Sequence, residues 1–287
     1  MYGLIQICGD DATAFLQGQL TQDVTRLQAA ISLPAAWCNA KGRVITSLRL
    51  LVLQDAIGLV VPASLVTAVV QKLTLYRLRS DVSIEPSNGN WTCIAVNDVD
   101  AFERLQGAGL LPDANSVCSD GALIAVDYSA TERFIEIFGC SDAFGNAGLT
   151  FDSTLSDEQR AVMKIRAGLV EITSENTEKY TPHMLNLDLT GAVSFDKGCY
   201  TGQEIVARTE HLGNSRRRLM HYLSETPIAA IGDRLSCNDQ PAAEVVNVAG
   251  RELLALGPVA QHGQTLQFRG TVVSPADLPY AIPVPPD

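Results

Sequence analysis

One stretch of the chain gathers residue types that can do chemistry: Lys197-Gly198-Cys199-Tyr200-Thr201-Gly202-Gln203-Glu204. Two glycines around a Cys-Tyr pair predict a sharp turn whose backbone approaches something closely. Lys197 stands two positions before the thiol and Arg208 follows it. Cations near a thiol favour the thiolate, the form that attacks electrophiles and binds metals. Tyr200 offers a flat face with a hydroxyl tip, and Gln203 and Glu204 offer paired donor and acceptor capacity. Such groups suit a planar heterocycle with amide edges. The plainer alternative is a glycine-rich turn whose cysteine touches no ligand. In this neighbourhood Cys199 is the candidate functional thiol.

The other reactive types are scattered. Seven cysteines stand at 8, 38, 93, 118, 140, 199 and 237, with no CxxC among them. No local metal clip is visible, and the spread, odd count fits reduced thiols in the cytosol. The expected location is therefore cytoplasmic, with no stably bound metal. One thiol without a CxxC cannot hold an iron–sulfur cluster, which takes about four thiolates. His183, His211, His221 and His262 show no metal-like spacing. Arg208, His211 and Arg216–Arg218 form the one basic run, able to meet an anionic tail or a phosphate. Arg216–Arg218 alone read more simply as a solvated turn. With 21 Lys plus Arg against 32 Asp plus Glu the net charge is −11. That balance argues against direct tRNA binding and against anionic membranes, so any anion must be bound locally. The most apolar stretch, Ile57 to Val70, contains Pro62 and is too short to span a bilayer.

The elements that must position these residues mix helices and strands, an α+β pattern. Residues 1–8 read as a strand, and Asp10 or Asp11 can cap a helix that runs through Leu20. Ala35–Cys38 and Val44–Leu53 read as strands joined by a turn at Asn39-Ala40-Lys41-Gly42. A helix is predicted over 63–79, with Leu65, Val69, Leu73, Tyr76 and Leu78 at helical intervals. Strands follow at Trp91–Val96, Leu123–Asp127 and Phe134–Phe138, with a helix at Val99–Gln106. Ser156 and Gln159 fit a capping box. The helix it opens places Val162, Ile165 and Leu169 on one face and stops near Gly168. Short β segments from Leu219 to Val273 predict a small barrel. The proline-rich tail from Pro275 reads as an irregular strap.

KGCYTGQE resembles the signature of the folate-binding YgfZ family, a branch of the glycine-cleavage T-protein (aminomethyltransferase) superfamily. FLQGQLTQDV at Phe15–Val24, AAWCNAKGR at Ala35–Arg43, LRSDV at Leu78–Val82 and NLDLTGAVSFDKGCYTGQEIVAR at Asn186–Arg208 support the resemblance. It implies a three-domain, ring-like fold around a central folate pocket, with a C-terminal β-barrel. The domains would be 1–50 plus 150–218 for folate, 51–149 as a ferredoxin-like α+β unit, and 219–287. It also implies a tetrahydrofolate-binding accessory protein that supports iron–sulfur cluster assembly or repair, and through it the enzymes that thiolate tRNA. Its partners would be iron–sulfur enzymes or assembly factors, met transiently. Folate contacts carried over are Tyr2, Asn186, Tyr200, Gln203 and Arg208.

Two departures bear on activity. Where the aminomethyltransferases carry an acidic pair after a Gly-x-Val-Ile-like run, this chain reads Gly42-Arg43-Val44-Ile45-Thr46-Ser47. A hydroxyl cannot stabilise a developing cation as a carboxylate does. Their "Leu-x-Glu-Ala-Gly" segment is matched by Ile165-Arg166-Ala167-Gly168, with the charge reversed. Both argue against glycine-cleavage chemistry. The alternatives are a folate-dependent one-carbon transferase and a non-catalytic interaction scaffold. Tyr2 stands where some relatives place a strand Trp, and Trp37 reads as core.

Overall fold

The computed structural model describes residues 1–28, 31–87, 90–129, 132–211, 215–227 and 229–284. Its first sheet is built from β1 (Tyr2–Cys8), β2 (Ser32–Cys38), β3 (Val44–Val52), β4 (Ile57–Pro62) and β5 (Ser83–Pro86). The order is β2-β3-β4-β1-β5, antiparallel throughout. Because β4 pairs with both β3 and β1, the first unit runs on to Pro86. The expected break at residue 50 falls inside β3 instead. Helix α1 (Ala12–Gln17) is shorter than predicted. Asp11 precedes it without a side-chain cap bond, because its carboxylate accepts from the Asp81 N–H at 2.8 Å. Helix α2 (Val66–Tyr76) buries Val69 and Leu73. It stops two residues before Leu78, whose backbone is left-handed (φ 44°), so that side chain is exposed rather than core.

The second sheet comprises β6 (Trp91–Val96), β7 (Val117–Ser119), β8 (Leu123–Ser129) and β9 (Arg133–Cys140), in the order β6-β9-β8-β7. One face packs on α3 (Val99–Gly107) and α4 (Ser141–Asn146) through Leu105, Ile135, Ile137 and Phe144. The other face meets the first sheet and α5 (Asp157–Arg166) through Val60, Val126, Phe138 and Met163. The capping box opens α5 as predicted: Ser156 accepts from the Gln159 N–H, and Gln159 accepts from the Ser156 N–H. Gly168 (φ 68°) turns the chain just beyond its end, placing Leu169 outside the helix. A Cβ at Gly168 would lie 2.5 Å from the Tyr280 hydroxyl oxygen.

Helix α6 (Gln203–His211) begins within the octapeptide, at its last two residues. The strands β10 (Arg217–Ser224), β11 (Arg234–Cys237), β12 (Gln240–Ala249), β13 (Glu252–Pro258), β14 (Leu266–Phe268) and β15 (Thr271–Ala276) then close a barrel, ordered β10-β13-β12-β11-β14-β15. The predicted barrel is therefore present. Leu219, Val246, Leu254 and Leu256 join the same apolar cluster as Ile5, Trp37, Leu50 and Ile165, so the barrel is fused to the first sheet's core. Trp37 is fully buried with Tyr76 edge-on at 6.0 Å. The strap beyond Ala276 crosses back over α5: the Tyr280 hydroxyl donates to the Gly168 carbonyl at 2.8 Å.

A central cavity and a separate signature loop

Three strands that are otherwise nearly apolar each carry a charged residue in mid-run: Arg49 in β3, Asp127 in β8 and Glu136 in β9. All three face a cavity of about 500 Å³ where the first sheet, the second sheet, α5 and the strap converge. That volume suits a small organic ligand. Tyr2, Tyr128, Phe138 and Tyr280 supply aromatic surface to its wall, and Lys164 and Glu171 supply further charge.

Most of these charges are already engaged. Lys164 donates to the Tyr2 hydroxyl and faces the fully buried Glu136 carboxylate at 3.3 Å. Asp127 holds Arg133 at 2.5 Å and accepts the Asn115 N–H at 3.0 Å. Tyr2 lies under the guanidinium of Arg160, with 4.6 Å to the ring centre. Burial pushes the Tyr2 and Tyr128 phenols well above their ordinary range, so both stay neutral. Two lining groups are not ion-paired among the described residues. Arg49 donates to the Ser32 hydroxyl at 3.0 Å and stands 5.2 Å from the centre of the Tyr128 ring. Glu171 has its backbone N–H and C=O both held by the Asn247 amide, at 2.9 and 2.7 Å, while its carboxylate accepts no hydrogen bond. The Thr46-Ser47 pair divides: Thr46 is buried, and Ser47 lines the cavity with its hydroxyl accepting the Ile172 N–H.

The octapeptide is spent differently. Lys197 sends its ammonium to three backbone carbonyls, those of Gln17, Leu20 and Gln22, at 2.7–2.9 Å. The expected support of the Cys199 thiolate therefore competes with bonds that tie the loop to the end of α1. The same ammonium sits 5.0 Å from the Tyr200 ring centre, and burial lowers its pKa to about 8. Gly202 (φ 83°) meets the β2–β3 turn so closely that a Cβ would lie 2.4 Å from the Asn39 carbonyl oxygen. Across from it a Cβ at Gly42 (φ 66°) would lie 2.8 Å from Ile205. The close approach predicted from the glycines is thus to the chain's own backbone. Around Gly198 nothing lies within 4 Å of an added Cβ, and Cys199 is exposed. Tyr200 is buried, Gln203 half-buried, and Glu204 and Arg208 are exposed.

The folate contacts expected together are therefore separated. Tyr2 lines the cavity, whereas Tyr200, Gln203 and Arg208 lie outside its lining. Asn186 sits behind it, fully buried, donating to the Leu219 carbonyl at 3.0 Å and to the Tyr280 hydroxyl at 3.4 Å. Arg218 is not on a solvated turn. It is fully buried in β10 and donates to both Asp188 oxygens, at 2.6 and 2.9 Å. His183, Asp188 and Glu210 place potential ligand atoms within 4.8 Å of one another. Arg218 already neutralises Asp188, and the His183 ring nitrogen Nε2 is taken by Glu210 at 2.9 Å. Arg166, standing where the resemblance to the aminomethyltransferases led to the expectation of a Glu, pairs with Glu252 and Glu132, each at 2.9 Å. Sequence reasoning missed Arg49, Asp127, Glu136, Lys164 and Glu171. For the first three the available signal was a lone charge inside an apolar strand.

No protein-family model matches the chain. The "tRNA-modifying protein YgfZ" of Edwardsiella ictaluri (strain 93-146) is 33% identical over 222 residues, 75% of this chain and 66% of that protein. The protein of the same name from Enterobacter sp. (strain 638) is 31% identical over 235 residues, 77% of this chain and 69% of that one. The aligned stretch thus spans about two thirds of these relatives' own lengths. Among solved structures, the glycine cleavage system aminomethyltransferase T from Bartonella henselae is similar with a TM-score of 0.73. It is 19% identical, and the match covers 97% of this chain and 83% of that one, which establishes the aminomethyltransferase-type fold.

Proposed function

The chain belongs to the YgfZ family, and from that premise we propose that it binds a reduced folate in the central cavity and serves tRNA modification through iron–sulfur enzymes. The observation that carries this reading is the cavity's complement of groups. Neutral phenol rings line it, and among the described residues the Arg49 guanidinium has no ion-pair partner and the Glu171 carboxylate accepts no hydrogen bond. A folate is a flat heterocycle with N–H donors at one end and carboxylates at the other. Aromatic walls take the first, and a guanidinium is the preferred partner of the second. The relatives that share the family are called tRNA-modifying proteins, and Cys199, exposed as Cys140 also is, is the signature-loop thiol that can meet a cluster, a persulfide or a partner.

A transferase reading is weaker here, because the Ser47 hydroxyl that faces the cavity already accepts the Ile172 N–H and carries no negative charge. Calorimetry with tetrahydrofolate tests the binding half, with saturable one-to-one heat expected. No heat at millimolar ligand would leave a scaffold without pterin. The other half is tested by complementation with Cys199→Ala, reading the activity of a tRNA-thiolating radical iron–sulfur enzyme. Reduced activity is expected, and full rescue would remove the thiol from the account.

A further inference from the structure

We infer that Glu171 is the specificity-determining residue of the cavity, gripping the paired N–H donors of an aminopyrimidinone ring edge while Arg49 receives the ligand's anionic end. This rests on the folate reading above and says how that ligand is oriented and recognised.

Five charged side chains line the cavity, and four of them make hydrogen bonds or ion pairs inside the fold. Glu136 faces Lys164, Asp127 holds Arg133, and Arg49 donates to Ser32 beside the Tyr128 ring. The Glu136 oxygens accept no hydrogen bond either, but they face the Lys164 ammonium; Glu171 alone presents a carboxylate with neither a hydrogen bond nor an ion-pair partner among the described residues. A carboxylate without a protein donor keeps its full accepting capacity for a ligand. It is also held in place, because the Asn247 side chain fixes its backbone on both sides, at 2.9 and 2.7 Å. Pre-set backbone keeps the ordering cost of binding low. Glu171 shares the cavity lining with the Tyr2 ring.

A fixed carboxylate beside an aromatic ring selects a planar group with two adjacent N–H donors, the mirror of the fork by which Arg binds carboxylates. The aminopyrimidinone edge of a pterin has that pattern. Position 166, where the family's acid would stand, cannot serve, because the Arg166 side chain is committed to Glu252 and Glu132. Glu171 supplies an acid to the same cavity from five residues further on.

The test compares tetrahydrofolate with its 2-desamino analogue, which lacks one donor of the pair. The wild type should bind tetrahydrofolate about tenfold or more tightly than the analogue, the scale of a lost hydrogen bond to a charged group. Glu171→Leu should lose that preference and bind the two alike, and Glu171→Gln should fall between them. Unchanged preference in a folded Glu171→Leu protein would overturn the inference while leaving folate binding intact. Absence of tetrahydrofolate binding by the wild type would instead bring down the folate reading, and this inference with it. Thermal midpoints of the three proteins keep a folding defect distinct from a lost contact.

Discussion

The signature loop and the central cavity invite the same expectation and behave in opposite ways. In the loop, Lys197 and Gly202 are used up by the chain's own backbone: three carbonyl oxygens take the ammonium, and a Cβ at Gly202 would lie 2.4 Å from the Asn39 oxygen. In the cavity, Arg49 and Glu171 remain without ion-pair partners among the described residues. A dense run of unusual residues is therefore a joint, with one exposed thiol riding on it. The groups suited to a ligand are drawn from segments far apart in the chain, β3 for Arg49 and the stretch beyond α5 for Glu171. Glycine and lysine can be placed for a structural reason as well as a chemical one, and only the third dimension separates the two.

The largest break in this comparison should come from Lys164→Met. It strips the fully buried Glu136 carboxylate of its cation, a change that costs about 3–5 kcal/mol in comparable buried pairs. A denaturant midpoint checks it, and a stability within 1 kcal/mol of wild type would show that Glu136 has another partner or takes up a proton.

Next, Gly202→Ala should cost about 3 kcal/mol, combining left-handed backbone with the Asn39 clash, while Gly198→Ala should stay within about 0.5 kcal/mol. Equal effects at the two glycines would contradict the role given to the joint.

Lys197→Met should cost about 2 kcal/mol near pH 7 through its three carbonyl bonds. Burial holds the Lys197 amine at about 8 in the folded protein, against an ordinary 10.5. Between those values the unfolded chain binds more protons than the folded one, so this group's contribution to stability rises with pH. The stability margin of wild type over Lys197→Met should widen from pH 7 to pH 10. A margin that narrows would mean that the carbonyl oxygens outweigh burial and hold the proton.

The smallest effect is expected for Cys199→Ala, an exposed residue: no measurable change in thermal midpoint or in tetrahydrofolate affinity.

Much of the fold could be read from sequence because local rules governed it. The capping box at Ser156 needed only its own four residues, and the barrel announced itself through evenly spaced glycine and proline turns. The place of β4 in the first sheet was not legible, because it pairs with β1, more than fifty residues earlier in the chain. Asp11 misled for a similar reason: its carboxylate answers the Asp81 N–H rather than its own helix. At the site, Tyr2 was legible through a family position, whereas Glu171 carries no local mark. Its meaning depends on which other lining charges are already paired.

The central claim is that the cavity, and not the signature loop, holds the ligand. Its most direct test is the tetrahydrofolate dissociation constant of three proteins measured side by side: wild type, Arg49→Leu and Tyr200→Leu. Arg49 lies in the cavity wall and Tyr200 outside it. The account predicts that Arg49→Leu weakens binding about tenfold or more, the scale of a lost charge-assisted hydrogen bond, while folded Tyr200→Leu protein binds as wild type does. Wild-type affinity in Arg49→Leu together with lost binding in folded Tyr200→Leu would contradict it.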